Sequence, residues 1–208
     1  ICEEWLERDK VLSGRQKDAI RQYVRMHTDK PEELYQIYHA MIRGENYKAE
    51  TLEVLMEEGQ PVIKIAGNEI RAAFEQLKDF VQKLILLTER TLPLGSVVEV
   101  DIRELKLETE KPVSSIKAVI VDRFMKKETE KQYVPYCGII YPFGDSKKQL
   151  FFTEQAIHTV IHYGYTDRQE DAYVALIKRE IIKKGYSSYS FAEAEDDKIR
   201  MLQSDINL

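Results

Sequence analysis

The spacing of apolar residues changes at one place in this 208-residue chain, and that change limits what the chain can fold into. Up to about residue 90 they recur three and four apart, the spacing that lines one face of a helix. Beyond Leu92-Pro93-Leu94-Gly95-Ser96-Val97-Val98 they come in short runs with a period of two. One regular element cannot serve both periods. The chain is therefore expected to be α+β: an N-terminal helical bundle, then a small, strongly bent antiparallel β-sheet or barrel closed by a C-terminal helix. The expected divisions are a helical domain over 1–90, a β-rich domain with its closing helix over 91–185, and a polar, weakly ordered tail over 186–208.

In the helical part, Ser13 and Gln16 have the spacing of a capping box, ahead of Ile20, Tyr23, Val24 and His27. Asp29-Lys30-Pro31-Glu32-Glu33 predicts a helix start carrying Leu34, Ile37, Tyr38, Met41 and Ile42, with Gly44 as the stop. A shorter helix is expected from Tyr47 to Glu58, burying Leu52, Leu55 and Met56, with Gly59 after it. The longest helix is expected to begin near Asn68, or as early as Pro61. Its heptad-type seam runs through Ile70, Ala73, Leu77, Phe80, Leu84 and Leu87, widened by Phe74, Val81 and Ile85. Such a seam is either the centre of the chain's own bundle or a face open to another protein.

In the β part, Ser96–Ile102 puts Val98, Val100 and Ile102 on one face and Glu99 and Asp101 on the other. Thr109–Ser115 has loop composition, and Ile116–Phe124 is apolar on both faces, as a central strand is. A charged hairpin connection over Lys126–Gln132 precedes a strand over Tyr136–Tyr141, with Pro135 expected at its start. Pro142–Asp145 has turn chemistry, Leu150–Phe152 reads as a short strand, and Thr153–Ile157 as one helical turn. His158–Tyr163 is the last expected strand. Asp167 then caps a helix with Glu170 three residues on, a buried stripe of Tyr173, Leu176, Ile177 and Ile181, and a stop at Gly185. The final segment is faintly amphipathic through Ile199, Met201, Leu202 and Ile206.

A net charge of −5 has no basic excess, so nucleic acid is not the expected partner. Cys2 and Cys137 make neither a disulfide framework nor a zinc site and are expected to be reduced in a cytoplasmic protein. The Cys2-Glu3-Glu4 start is acidic where a signal peptide is basic, and Leu84–Leu87, the longest apolar run, is too short to insert in a bilayer. Because the chain begins at Ile1, a native segment preceding it is left open. His158 and His162 are four apart and expected to share a face, but a metal site needs further ligands, and none is near in sequence. Cys137 lies in an apolar strand, as a small buried hydrophobe does. Neither a nucleophile–base set nor a phosphate-cradling glycine loop is present. No catalytic residue, cofactor or metal is expected.

Four short blocks in the β part resemble the bacterial family of unknown function numbered 4176. They are Leu92-Pro93-Leu94-Gly95-Ser96-Val97-Val98, then Val134-Pro135-Tyr136-Cys137-Gly138-Ile139-Ile140-Tyr141-Pro142-Phe143-Gly144, then Leu150-Phe151-Phe152-Thr153, and finally Val160-Ile161-His162-Tyr163-Gly164-Tyr165. The resemblance covers about residues 91–182, in the family's order, with a longer loop between the first two strands. It implies a setting rather than a mechanism. The resemblance implies an accessory protein encoded near type VII secretion systems and their polymorphic toxins in Gram-positive bacteria.

The expected function is a non-enzymatic, cytosolic adaptor, chaperone or targeting factor for a type VII secreted toxin. The alternative is an immunity protein that binds and blocks the toxin domain. An enzyme is the third class, which a metal held by His158 and His162 would revive. Eight of the 12 tyrosines lie after residue 130, and tyrosine is both an interface residue and a good strand residue. The candidate partner-binding residues are Ile70, Leu77, Phe80, Leu84, Leu87, Tyr136, Tyr141 and Tyr163. Pro93 and Gly95 are the expected structural junction, with Leu92 and Leu94 anchoring apolar contacts there.

Overall fold

Two consecutive two-residue turns decide the character of the first ninety residues. In the computed structural model, which describes residues 1–101, 114–127 and 129–191, Glu58 and Gly59 both have positive φ (51° and 78°), as do Ala66 and Gly67 (47° and 76°). A pair of left-handed residues matches the twist of antiparallel strands, so each pair closes a hairpin. The result is a meander of β1 (Tyr47–Lys48), β2 (Leu52–Glu57), β3 (Gln60–Ile65) and β4 (Asn68–Ile70), paired in that order. This corrects the expected helix over Tyr47–Glu58. Leu52 opposes Ile65 and Val54 opposes Ile63, all four buried, whereas Leu55 and Met56 are only half-buried. Pro61 is tolerated in β3 because it opposes Met56, one step past the pair that flanks the hairpin turn. Its missing N–H therefore faces away from β2, and β4 has already ended at the Ile63–Ile70 pair.

The chain divides into two compact units: Ile1–Arg90 with Lys178–Lys184, and Thr91–Ile177 with the segment from Gly185 onward. The first unit carries α1 (Cys2–Arg8), α2 (Gly14–Met26), α3 (Glu32–Arg43) and α4 (Phe74–Thr88) together with the meander. It is a mixed α and β unit rather than a bundle of helices. Both capping-box bonds form between Ser13 and Gln16, at 2.7 and 3.3 Å. Gly44 ends α3 at φ 67°. The longest helix of this unit begins at Phe74, not near Asn68, since Ile70 is committed to β4 and the turn before it is left-handed. Leu77, Val81, Leu84 and Ile85 are each no more than 1% exposed, and burying side chains of this size stabilises by about 1.5–3 kcal/mol each. α2, α3 and α4 all pack against the meander.

The second unit is a six-stranded sheet that stays open. Its order is β10 (Ser187–Ser188), β7 (Gln132–Ile140), β6 (Ser115–Lys127), β5 (Val97–Asp101), β9 (Ile157–His162), with β8 (Gln149–Phe152) also paired to β7. No barrel forms. Every pairing is antiparallel except β10 on β7. A single 3-10 turn, Glu154–Ala156, joins β8 to β9. β5 has the expected alternation, with Val98 and Val100 buried and Glu99 and Asp101 half-buried. The core holds Val98, Val100, Ala118, Ile120, Tyr136, Ile140, Leu150 and Phe152.

Pro135 falls inside β7 rather than at its start. The proline is accommodated because the ladder to β6 skips from Arg123–Tyr136 to Met125–Val134, while β8 pairs only from Tyr136 onward and β10 only with Gln132 and Tyr133. Phe124 fills the skipped position at φ 53°, an uncommon conformation for a bulky residue. β9, an edge strand, has two bulges against β5, at His158 and Ile161. Bulges blunt a free edge, and they also break the alternation that would have put His158 and His162 on one face.

Helix α5 (Arg168–Lys184) starts with Asp167, whose Oδ1 accepts the N–H groups of Gln169 and Glu170, both at 2.9 Å. The expected buried stripe does not hold: Tyr173 and Leu176 are exposed, Ile177 is half-buried, and Ile181 alone of the four is buried. After Gly185, Tyr186 and Tyr189 are buried and β10 docks on β7, so this part of the expected weak tail is ordered. Ile102, most of the Thr109–Ser115 loop and the Ile199–Ile206 stripe lie outside the described residues.

Candidate interaction site around Arg123

If β6 alternated without a break, Arg123 would point away from the face that carries Ala118 and Ile120. One extra residue, Val121, enters between Ile120 and Asp122 and reverses the parity. Arg123 therefore lies opposite Tyr136, on the core face, with its side chain only 2% exposed. A guanidinium that far from water must be paired and hydrogen-bonded. Nη1 donates to the Leu92 carbonyl at 3.1 Å and also to Glu170 Oε1, while Nη2 donates to Glu170 Oε2 at 3.1 Å. The Tyr173 ring lies 5.8 Å from Cζ, within cation–π range. One side chain thus ties the bulged strand, the Leu92–Val98 motif and the first turn of α5 together.

The motif itself is a turn. Ser96 N–H donates to Pro93 O at 3.2 Å, and Gly95, third of the four residues, has φ 79°, as a type II turn requires. Gly95 N–H donates to Ile120 O and Ile120 N–H to Ser96 O, which fixes the turn against β6. Ser96 Oγ donates to Pro93 O at 2.7 Å and accepts from Gly164 N–H at 3.0 Å. Gly164 must lack a side chain because a Cβ there would sit 2.0 Å from Leu94 O. The Pro-Leu-Gly-Ser and Gly-Tyr segments therefore interlock through backbone. Pro93 is buried and Gly95 makes the turn, but Leu94 does not anchor: it is 47% exposed while Leu92 is buried.

Beside this junction opens a cavity of about 570 Å³ lined by Leu94, Asp122, Arg123, Tyr165, Asp167, Gln169, Glu170 and Tyr173. Tyr165 is 81% exposed and Tyr173 48%. Three carboxylates stand against one guanidinium, and that guanidinium is already paired with Glu170. Asp122 Oδ1 accepts its neighbour's N–H at 2.7 Å, and among the described residues the second oxygens of Asp122 and Asp167 have no hydrogen-bond partner. A smaller cavity, about 250 Å³, lies in the first unit between Trp5, Leu12, Ile70, Leu77 and Phe80.

The candidate residues are scattered between these places. Ile70, Leu77, Phe80 and Leu84 are buried in the first unit and Leu87 is half-buried, so the seam lies inside that unit's own core. Tyr136 is buried against Phe152, with ring centroids 5.7 Å apart, and its hydroxyl accepts the Leu92 N–H at 3.1 Å. Tyr136→Phe is expected to cost about 1–3 kcal/mol in urea unfolding, because it leaves a buried N–H without an acceptor. Tyr141 and Tyr163 are exposed. Arg123 was not singled out by sequence, while Glu170 was named only beside the Asp167 cap and Gly164 only within the Val160–Tyr165 block. The available signal was the Asp122-Arg123 pair inside an otherwise apolar strand.

Cys2 and Cys137 are both free. Burial, with the Asp122 charge second, pushes the Cys137 thiol up to about 11. The unfolded thiol ionises first, at its ordinary value of 9.0, so the native state holds the extra proton between the two values. Stability should fall as pH rises through that window, and Cys137→Ala should remove this component when unfolding is followed against pH. Among the described residues no three His, Cys, Asp or Glu side chains converge as metal ligands would. No helix among them is long and apolar enough to cross a membrane.

Residues 91–173 match the family model of a domain of unknown function (DUF4176), the family that the sequence motifs resemble. Every residue lining the larger cavity falls inside the matched stretch. No curated protein and no solved structure matches the chain.

Proposed function

We propose that this chain is a non-enzymatic interaction protein that meets its partner through the second unit. The carrying observation is the set of large apolar side chains left in water there: Leu94, Tyr141, Phe143, Tyr163, Tyr165 and Tyr173. Aromatic side chains give large contact area at low entropic cost and are enriched at interface centres. The burial of the Leu77–Leu84 seam favours the second unit over the first as the contact region.

The family's setting supports the more specific reading: a cytosolic adaptor, chaperone or targeting factor for a type VII secreted toxin in a Gram-positive bacterium. The immunity reading, in which the chain blocks the toxin domain, draws on the excess of carboxylates around the cavity, which suits a basic toxin surface. Co-expression of the intact chain with the neighbouring toxin, cut between leader and toxic domain, separates the two. Co-purification with the leader supports the adaptor, and co-purification with the toxic domain supports the inhibitor. Recovery of neither overturns both.

A further inference from the structure

We propose that the cavity beside Arg123 receives an arginine side chain presented by a protein partner. This rests on the reading that the second unit binds protein, and it adds the chemistry of the contact. Three features of the cavity select the occupant. Its walls carry three carboxylates and one guanidinium, and Glu170 already neutralises that guanidinium, which leaves Asp122 and Asp167 as uncompensated negative charge. Both aspartates are exposed, and each turns an oxygen with no hydrogen-bond partner among the described residues to solvent, where an incoming donor can reach it. Tyr165 and Tyr173 offer exposed rings at the same place.

An apolar side chain would leave the carboxylates unmatched, and an anion would be repelled by them. A cation that also lies flat on aromatic rings satisfies both wall types. Guanidinium does this better than ammonium, since it is planar, weakly hydrated and donates in a fork. The protein's own Arg123 shows the arrangement in the cavity wall: forked onto Glu170, with the Tyr173 ring 5.8 Å from its Cζ. About 570 Å³ holds such a side chain with adjoining peptide, and Leu94 lies ready for the neighbouring apolar contact.

The test is a titration of the intact chain with N-acetylarginine amide, followed by amide resonances, with the lysine, norleucine and glutamate amides as comparators. Saturable shifts at Asp122, Tyr165 and Asp167 with the arginine compound, absent with norleucine and glutamate, are expected. Asp122→Asn should weaken that binding roughly tenfold, the effect of losing one charged hydrogen bond, and Tyr165→Ala should weaken it without unfolding the chain. No saturable shift, an equal response to norleucine, or binding unchanged in Asp122→Asn overturns the proposal. Equal binding of lysine overturns the choice of arginine. If arginine amide binds but no toxin segment co-purifies, the interaction reading fails and the cavity assignment stands. If the toxin co-purifies undiminished with both variants, the reverse holds.

Discussion

Gly164→Ala is expected to cost about 3 kcal/mol or more, the upper end of what an overpacked site costs. The added carbon would lie 2.0 Å from the Leu94 carbonyl oxygen, 2.9 Å from its carbon and 2.9 Å from the Ser96 nitrogen. All three are backbone atoms, so no rotamer change relieves the contact. The Pro93–Ser96 turn is held in turn by Ile120 on β6, and separating the two segments would break the Gly164–Ser96 hydrogen bond as well. Urea unfolding of the variant beside Gly14→Ala measures this. A Cβ at Gly14, the first residue of α2, meets nothing within 4 Å, so that control should stay within about 1 kcal/mol of the parent or gain slightly. A Gly164→Ala midpoint equal to the parent's would mean that the two segments do not approach this closely.

Arg123→Met carries the second large effect, about 3–5 kcal/mol, the usual cost of removing one partner of a buried ion pair. The variant leaves Glu170 with only 19% of its side chain exposed, no counter-charge, and an unbonded Leu92 carbonyl. Most of the loss is the desolvated carboxylate, so Arg123→Met combined with Glu170→Leu should recover a good part of it. The double-mutant cycle should show coupling well above the roughly 0–1 kcal/mol of an exposed pair such as Arg8–Glu4. Additive losses would place the pair in solvent-like surroundings and remove Arg123 as the tie between strand, turn and helix.

These two residues also mark where sequence stops being informative. The alternation of Val98 and Val100, the Ser13–Gln16 capping box and the Asp167 cap were all legible, because each depends on local chemistry within a few residues. The meander was not. Leu52, Leu55 and Met56 fit a helical spacing as well as a strand, and Glu58-Gly59 and Ala66-Gly67 lack the Asn-Gly or Asp-Gly pairs that announce such hairpins. The Ile70–Leu87 seam read as one helix because Ile70 happens to keep the phase while lying in β4.

Arg123 was illegible for a different reason. Its inward direction is created by a one-residue bulge at Val121, which changes the face of every later side chain without altering the composition. The exposure of Tyr173 and Leu176 likewise depends on what α5 packs against, which its own apolar stripe does not specify. The turn chemistry of Pro93 and Gly95 in the Leu92–Val98 motif was legible. What the motif joins became apparent only when Gly164 and Arg123, distant in sequence, were found against its backbone.

The most direct measurement of the central proposal is co-purification of a co-expressed type VII toxin, the partner proposed above, with the parent chain and with Tyr165→Ala and Asp122→Asn, all three shown to unfold at the same urea concentration. The account predicts that the parent retains the toxin and that both variants lose most of it. Equal recovery with all three, or toxin bound only through residues of the first unit, would contradict it.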